Sequence, residues 1–350
     1  MPNSQQPTAN SRLEAYLAAI FTDWLRERAA APFALSERRA APTPVFVART
    51  PDNRTAAIAV ALLWDATADP AAEDARQMIP RAEDARQMPP RAEDARQMME
   101  ERLSAGNVRG PHLLWVPPRG AVPADEPAAS DFVMRVQLAA APLLPGARTE
   151  VDLPARVQLA KTRDEGGYAS VIGGLSRWWT NITERVDGTY NVNAMQIRRA
   201  PRDESRRDAI INAIAERARG MQLGELREVD TYESWTVQRL REEPLGETGF
   251  AIAQAPPTVD PAEGTHVRRL LRQRLTDANA ALAQTQADMK CVAIAGIYEF
   301  AEHENIGSFV KSLNPTLFAG LTALAAIVDA EVRPVFLAPH LRTPAPTEPA

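Results

Sequence analysis

The sequence predicts an α/β or α+β fold, in which helices cover a mixed sheet and the chain forms two subdomains. The clearest observation is a short apolar run bounded by turn residues, Lys290 to Phe300, which is typical of a strand buried on both faces. A short helix and two returning strands, Leu321 to Val328 and Val332 to Leu337, are expected after it. Upstream, helical and strand-like apolar periodicities alternate, as they do in layered α/β architectures.

Composition bounds the class of protein. The chain has 350 residues, which suffice for one large or two moderate domains. Its apolar fraction of 45% and charged fraction of 24% are those of a soluble globular protein. The net charge of −5 argues against a surface built throughout for polyanions, although it is compatible with a local basic face.

The sequence also bears on cellular location. Its single cysteine, Cys291, stands in an apolar run and is expected to be a small core residue in a reducing compartment. Met1 to Ser11 lack the basic-then-apolar pattern of a signal peptide. The longest apolar stretch, Leu317 to Val328, is shorter than the ~20 residues that cross a bilayer. We therefore expect a cytoplasmic protein with no membrane partner.

The predicted organisation has two folded parts between two tails. Residues 1–10 and 343–350 are rich in Pro, Thr and other small or polar residues, and both are expected to be disordered. Between them we expect an N-terminal α/β domain at 11–200, with a repeat insertion at 73–102, and a C-terminal α/β region at 203–340.

The chain begins with a helix and a hairpin. Ser11 can cap the helix with Glu14 at the capping-box distance, and apolar residues then recur at helical spacing up to Leu25. The stretches Pro44 to Ala48 and Thr55 to Trp64 predict two strands, because both are apolar and a turn sequence at 51–54 separates them.

A tandem repeat follows the hairpin. The sequence Glu-Asp-Ala-Arg-Gln-Met begins at Glu73, Glu83 and Glu93, and a ten-residue period matches neither a coiled coil nor a solenoid. The prolines that follow the first two copies interrupt a continuous helix. We therefore expect two looped-out units beside one helix ending near Leu103, the alternative being a ligand-binding repeat.

The remaining elements follow from the same patterns. Ser130 or Asp131 is expected to cap one helix and Asp203 to open another. The predicted elements are a strand at His112 to Val116, a helix around Phe132 to Leu138, a strand at Thr149 to Lys161, a helix with Trp178 and Trp179, a strand at Thr189 to Ile197, a helix from Asp203 to near Gly220, a strand at Gly249 to Ala253 and a long helix at Glu263 to Lys290.

The order of the first elements resembles that of nucleases with the PD-(D/E)xK core. In that family a glutamate on an N-terminal helix, an acidic residue on a hairpin and an acid-x-lysine on the next strand hold a divalent ion near a phosphodiester. Glu14 and the hairpin stand in this order, but Val45 follows Pro44 where aspartate is expected, and Leu159 stands two positions before Lys161. The resemblance therefore implies a degenerate nuclease-like domain that lacks its metal site.

Arginines supply the candidate site. Arg268, Arg269 and Arg272 lie at helical spacing on the predicted helix 263–290, and arginine can meet phosphates bidentately, so we take these three as candidate nucleic-acid-binding residues. Further arginines can join them: Arg274, Arg198, Arg199, Arg202, Arg206 and Arg207. The alternative is a set of ordinary solvated faces, because arginine replaces nearly all lysine in this chain.

Other chemistry is weakly indicated. Glu299, Glu302, His303 and Glu304 follow a predicted strand end, where α/β proteins place sites, but they match no recognised metal-site spacing, and a solvated helix start that favours acids explains them better. The chain has four histidines and one cysteine, so no metal site is expected. Catalytic residues and any cofactor are left unassigned.

Three hypotheses follow from the sequence. The first is a nucleic-acid-associated protein with a degenerate nuclease-like domain, acting in DNA processing or defence. The second is a non-catalytic protein-interaction or scaffold module, and the third is an enzyme of unrecognised type. A continuous arginine face would favour the first hypothesis, and a carboxylate cluster in a cleft would favour the third.

Overall fold

The computed structural model describes residues 9–39, 43–63, 92–117, 120–166, 168–172, 185–193, 197, 199–254, 264–295 and 313–342. Within these ranges there are six α-helices and twelve strands, so the predicted α/β class is confirmed. The helices are α1 (Ala9–Arg28), α2 (Ala92–Ser104), α3 (Ala128–Ala140), α4 (Glu204–Ala218), α5 (Gly264–Ala283) and α6 (Pro339–Arg342).

The strands form two mixed sheets of six strands each in the described part of the chain. In chain order they are β1 (Ala34–Arg39), β2 (Val45–Arg49), β3 (Thr55–Leu62), β4 (Pro111–Trp115), β5 (Arg148–Arg163), β6 (Tyr168–Ile172), β7 (Thr189–Asn193), β8 (Leu226–Arg239), β9 (Gly249–Ala253), β10 (Met289–Ala295), β11 (Ala323–Val328) and β12 (Glu331–Leu337). Sheet A has the order β1-β2-β3-β10-β11-β12, and sheet B has the order β6-β7-β5-β8-β4-β9.

Strand β10 is central to sheet A, as its apolar sequence predicts. It lies between β3 and β11 and is parallel to both. Its side chains alternate between two buried clusters, with Cys291 and Ala293 on the α1 face and Val292 and Ile294 on the α5 face. Cys291 is fully buried, which confirms its expected role as a core residue. This burial raises the pKa of its thiol to about 12.

Helices α1 and α5 cover opposite faces of sheet A. Both were predicted from apolar spacing, and Leu17 of α1 and Leu271 of α5 are fully buried at those positions. Helix α1 also packs against the β4–β9 end of sheet B, where the Tyr16 hydroxyl donates to the Gly249 carbonyl at 2.9 Å. Buried Leu113 and Ala251 belong to the same cluster, so α1 is shared by the two sheets.

Sheet B is built around the long antiparallel pair β5 and β8, in register from Arg148 opposite Gln238 to Ala160 opposite Leu226. Strand β5 was predicted, and its alternating Val151 and Leu153 are buried. Strand β8 was not predicted, because its first half is charged and exposed, and its stability comes from hydrogen-bonded neighbours on both sides. Strand β1 was missed for a similar reason, since this edge strand alternates without apolar residues at 36–39.

Helix α2 contains the third copy of the repeat and confirms the helix predicted to end near Leu103. Helix α2 lies against β9, the edge strand of sheet B, and its side chains accept hydrogen bonds from the backbone of that strand. Ser104 Oγ accepts from the Phe250 backbone N–H at 2.9 Å, and Glu100 Oε1 accepts from the Ile252 N–H at 2.8 Å. An edge strand that exposes unpaired N–H groups invites association with other chains, and α2 removes that exposure.

Two predicted caps are wrong and a third is confirmed. Ser11 does not cap α1, because the helix begins at Ala9 and Ser11 lies inside it. Helix α3 begins after Pro127, which makes no side-chain cap hydrogen bond, and Asp131 instead pairs with Arg135 at 2.7 Å. Asp203 caps α4 as expected, because its Oδ1 accepts from the Arg206 backbone N–H at 3.0 Å.

Several predicted features lie outside the described residues. They are the tails except for residues 9 and 10, the first two repeat copies, the helix with Trp178 and Trp179, and the acid-rich residues 299–304. The predicted division at residues 200–203 does not coincide with the sheets. Sheet A combines strands from both ends of the chain, and sheet B is formed by the strands between them.

Candidate nucleic-acid interface

The candidate arginines Arg268, Arg269 and Arg272 all lie on the exposed side of α5. An α-helix turns about 100° per residue, so the three side chains start within an arc of about 100° on the helix surface. The adjoining side of the helix carries Leu271 and Leu275, both fully buried against sheet A. The packing of α5 therefore fixes which side of the helix presents the arginines.

The exposed positions of α5 carry positive or neutral side chains. From residue 268 to residue 283, these positions are Arg268, Arg269, Arg272, Gln273, Thr276, Ala280 and Ala283, which we call the α5 face. The acidic residue of this stretch, Asp277, is half-buried. The α5 face thus has a local charge opposite in sign to that of the whole chain, which is −5.

The second arginine group is used within the fold. The guanidinium of Arg199 pairs with the Asp329 carboxylate, and only 10% of the Arg199 side chain and 8% of the Asp329 side chain are exposed. Arg202 contacts the same carboxylate and lies 3.4 Å from Glu331 Oε1. These arginines therefore bind carboxylates of the β11–β12 hairpin, so the expectation that they extend a phosphate-binding face is wrong for them.

The other described members of that group are similarly occupied. Arg206 lies 3.2 Å from Asp152 Oδ1, and Arg207 donates to the backbone carbonyl of Arg202 at 2.7 Å. Arg198 lies outside the described residues. The two arginine groups therefore do not combine into one basic face in the part of the chain that the structure describes.

A polar pocket lies beyond the C-terminal end of α5. It measures about 400 Å³ and is lined by Arg39, Val47, Arg49, Thr55, Ala57 and residues 284–287. We call it the Arg39–Arg49 pocket. The pocket could not be predicted from the sequence, because its lining comes from β1, β2 and β3 and from the loop after α5. The strands and the loop are more than 220 positions apart in the chain and share no motif.

The positions implied by the nuclease resemblance form no metal site. Glu14 on α1 pairs with Arg38 on β1 at 2.6 Å, instead of facing other carboxylates. Val45 is buried, and β3 carries only threonine and apolar residues. Among the described residues, no three His, Cys, Asp or Glu side chains are grouped closely enough to hold a metal ion.

His112 is a core histidine. Its ring stacks on Phe250 with centroids 5.0 Å apart, and Nδ1 lies 3.1 Å from the Gly110 carbonyl oxygen. Burial lowers the pKa of His112 below its usual value, so the ring is neutral near pH 7. Its environment is apolar packing and backbone carbonyls, which favours a structural role.

Apolar residues are exposed on a different part of the surface. Met134 and Leu138 stand four positions apart on α3 and are 51% and 69% exposed, and nearby Leu144 is 74% exposed. Residues four apart share one side of a helix, so α3 presents an apolar strip to solvent.

Comparison of the chain with protein-family models, with curated proteins and with solved structures gives no match. Among the helices that the structure describes, none combines the length and apolar character that crossing a bilayer requires.

Proposed function

We propose that the protein binds nucleic acid through the α5 face, without sequence preference and without cutting the strand. The observation that carries this proposal is the placement of Arg268, Arg269 and Arg272 on one exposed side of α5, where the other exposed positions between 268 and 283 are neutral. Guanidinium groups bind phosphates bidentately, and several in one row can follow a phosphate backbone.

The charge of the whole chain supports a local mode of binding. At a net charge of −5, the chain as a whole repels a polyanion, so binding depends on local groups of arginines such as those of the α5 face. Binding through phosphates carries no base information, and it weakens steeply as salt rises because counterions are released.

From the nuclease-like resemblance, this proposal uses only the order of the helix and strands. After helix α1, strands β2 and β3 form a hairpin, and β10 pairs in parallel with β3. Glu14 stands at the helix position of the family, but β2 and β3 carry no acidic residue that could complete a metal site. We propose that the protein acts in the cytoplasm, in DNA processing or defence, and that it binds a nucleic-acid strand without hydrolysing it.

The test is direct binding of the full chain to random-sequence single- and double-stranded DNA and RNA at several salt concentrations. We expect binding at low salt that is independent of sequence and falls with a steep log–log slope. The proposal is overturned if the chain binds none of the four nucleic acids at low salt.

A second candidate function, protein interaction, is favoured by the apolar strip of Met134 and Leu138 on α3. Exposed apolar residues in one strip are typical of association surfaces. Light scattering of the wild type and of the Met134→Gln, Leu138→Gln variant tests it. A mass above one chain that falls to one chain in the variant would support association through α3, and one chain in both would remove self-association.

A further inference from the structure

The Arg39–Arg49 pocket lies on the same side of sheet A as α5. Val47 is opposite Ala57 in register, Arg49 is opposite Thr55, and Arg39 is opposite Val45, which belongs to the core beneath α5. Side chains alternate along a strand, so these residues all face the helix side of the sheet. The pocket therefore continues the α5 face beyond the C-terminal end of the helix.

Glu37 holds the two arginines of the pocket close together. Arg39 Nε lies 3.0 Å from Glu37 Oε1, and Arg49 NH2 lies 3.8 Å from Glu37 Oε2. The side chains of Arg39 and Arg49 are 44% and 46% exposed, so a further anion can reach them. A guanidinium has five N–H donors, and one carboxylate between two of them leaves most of these donors unused.

The rest of the lining suits a phosphate with an organic group attached. Val47 and Ala57 form a buried apolar floor, and Gln284 and Gln286 add amide donors from the loop after α5. Among the described lining residues there are two arginines and no carboxylate. The volume of about 400 Å³ lies within the range of small-ligand sites.

Two acceptors near the pocket already have hydrogen-bond partners. The Asp288 carboxylate accepts from the Thr55 backbone N–H at 2.8 Å and from the Thr55 hydroxyl at 3.1 Å. At the end of α5, the Leu282 carbonyl accepts from the Thr285 backbone N–H at 3.1 Å and from its hydroxyl at 2.8 Å. These two acceptors are therefore engaged by donors of the fold.

We infer that the Arg39–Arg49 pocket is a nucleotide-phosphate subsite, which takes one nucleotide of the strand bound along the α5 face. This inference rests on the proposed function, and it adds a defined contact at the end of the strand's path. Arg39 and Arg49 bind the phosphate, and the sugar lies over Val47 and Ala57.

Calorimetric titration of the full chain with deoxythymidine monophosphate and with thymidine tests the subsite, because the two probes differ only by the phosphate. The variant is Arg39→Gln, Arg49→Gln, and the control is Arg54→Gln, which removes a neighbouring arginine that does not line the pocket. We expect the monophosphate to bind the wild type and the control, at least tenfold more tightly than thymidine, and to lose this binding in the variant.

The same proteins are titrated with single-stranded DNA over a range of salt. We expect the slope of the variant to be shallower by about 0.7, which corresponds to one phosphate contact on a single strand. A variant that binds both probes as the wild type does overturns the subsite while leaving binding by the α5 face intact. Monophosphate binding that depends on Arg39 and Arg49, in a protein that binds no strand, overturns the assignment to a strand together with the proposed function.

Discussion

The guanidinium of Arg199 and the carboxylate of Asp329 face each other as a two-pronged ion pair between sheet B and sheet A. The Arg199 backbone carbonyl accepts from the Ser234 N–H of β8 at 3.2 Å, and Asp329 lies in the turn between β11 and β12. Arg202 shares the same carboxylate. Arginines that the sequence suggested for phosphate binding thus link the two sheets.

We predict that Asp329→Asn lowers the free energy of unfolding by about 3 kcal/mol, because Arg199 then remains buried without its anion. Asparagine keeps the shape and tolerates the positive φ of 50° at this position, so the change isolates the charge. Urea denaturation measures the effect. Asp230→Asn is the control, since the Asp230 side chain is 83% exposed, and an equal loss in both variants would contradict the account.

Ala330 follows Asp329 in the same turn and has a φ of 66°, a left-handed conformation that strains an L-residue with a Cβ atom. We predict that Ala330→Gly raises the free energy of unfolding by about 0.5–1 kcal/mol, because glycine adopts this conformation freely. As a comparison, Ala280→Gly on exposed α5 should lower it by about 1 kcal/mol. A loss of stability in both variants would show that the turn at Ala330 is not strained.

Glu100 serves both a buried ion pair and the edge of sheet B. Its Oε1 lies 2.8 Å from Arg96 NH1, and the Glu100 side chain is 3% exposed. We predict that Glu100→Ala lowers stability by about 3 kcal/mol, because it leaves both Arg96 and the Ile252 N–H without this acceptor. Glu100→Gln should cost less, since the amide oxygen still accepts from Ile252. Equal losses in chemical denaturation would mean that the edge hydrogen bond contributes nothing.

The three repeat copies are followed by different residues at the position where Glu100 of α2 makes its buried contacts. Glu100 follows the third copy, whereas Pro80 and Pro90 stand at the matching positions after the first two. We predict that deleting residues 83–92 leaves Tm almost unchanged, since Ala82 then precedes Glu93 as Ala92 does and a shorter connection changes loop entropy only slightly. Deleting residues 93–102, which is equally long, should lower Tm strongly. A large drop in the first variant would contradict a dispensable repeat unit.

The elements that sequence reasoning found are those whose apolar residues recur at a helical or strand period. Helix α1, helix α5 and strand β10 bury such residues, so the pattern and the packing agree. Strand β8 follows no such pattern in its charged first half, and neighbouring strands hold it through backbone hydrogen bonds. Backbone pairing of this kind leaves no signature in side-chain periodicity.

The candidate site likewise has a part that the sequence predicted and a part that only the fold creates. Helical spacing sufficed to predict that Arg268, Arg269 and Arg272 share one side of a helix. It could not show that Arg199 meets Asp329, because the two residues are 130 positions apart and only the fold brings them together. The pocket of Arg39 and Arg49 needs three strands and a distant loop, so it too is a product of tertiary structure.

The measurement that tests the central claim most directly is the salt dependence of duplex DNA binding by the Arg268→Gln, Arg269→Gln, Arg272→Gln variant. Its control, Arg135→Gln, Arg156→Gln, Arg219→Gln, removes the same charge from three exposed ion pairs elsewhere. We predict that the log–log slope of the variant is shallower than that of the wild type by up to about 2.7, which corresponds to three lost phosphate contacts, and that the control keeps the wild-type slope. Equal slopes in the variant and the wild type, or a wild type that binds no DNA at low salt, would contradict nucleic-acid binding by the α5 face.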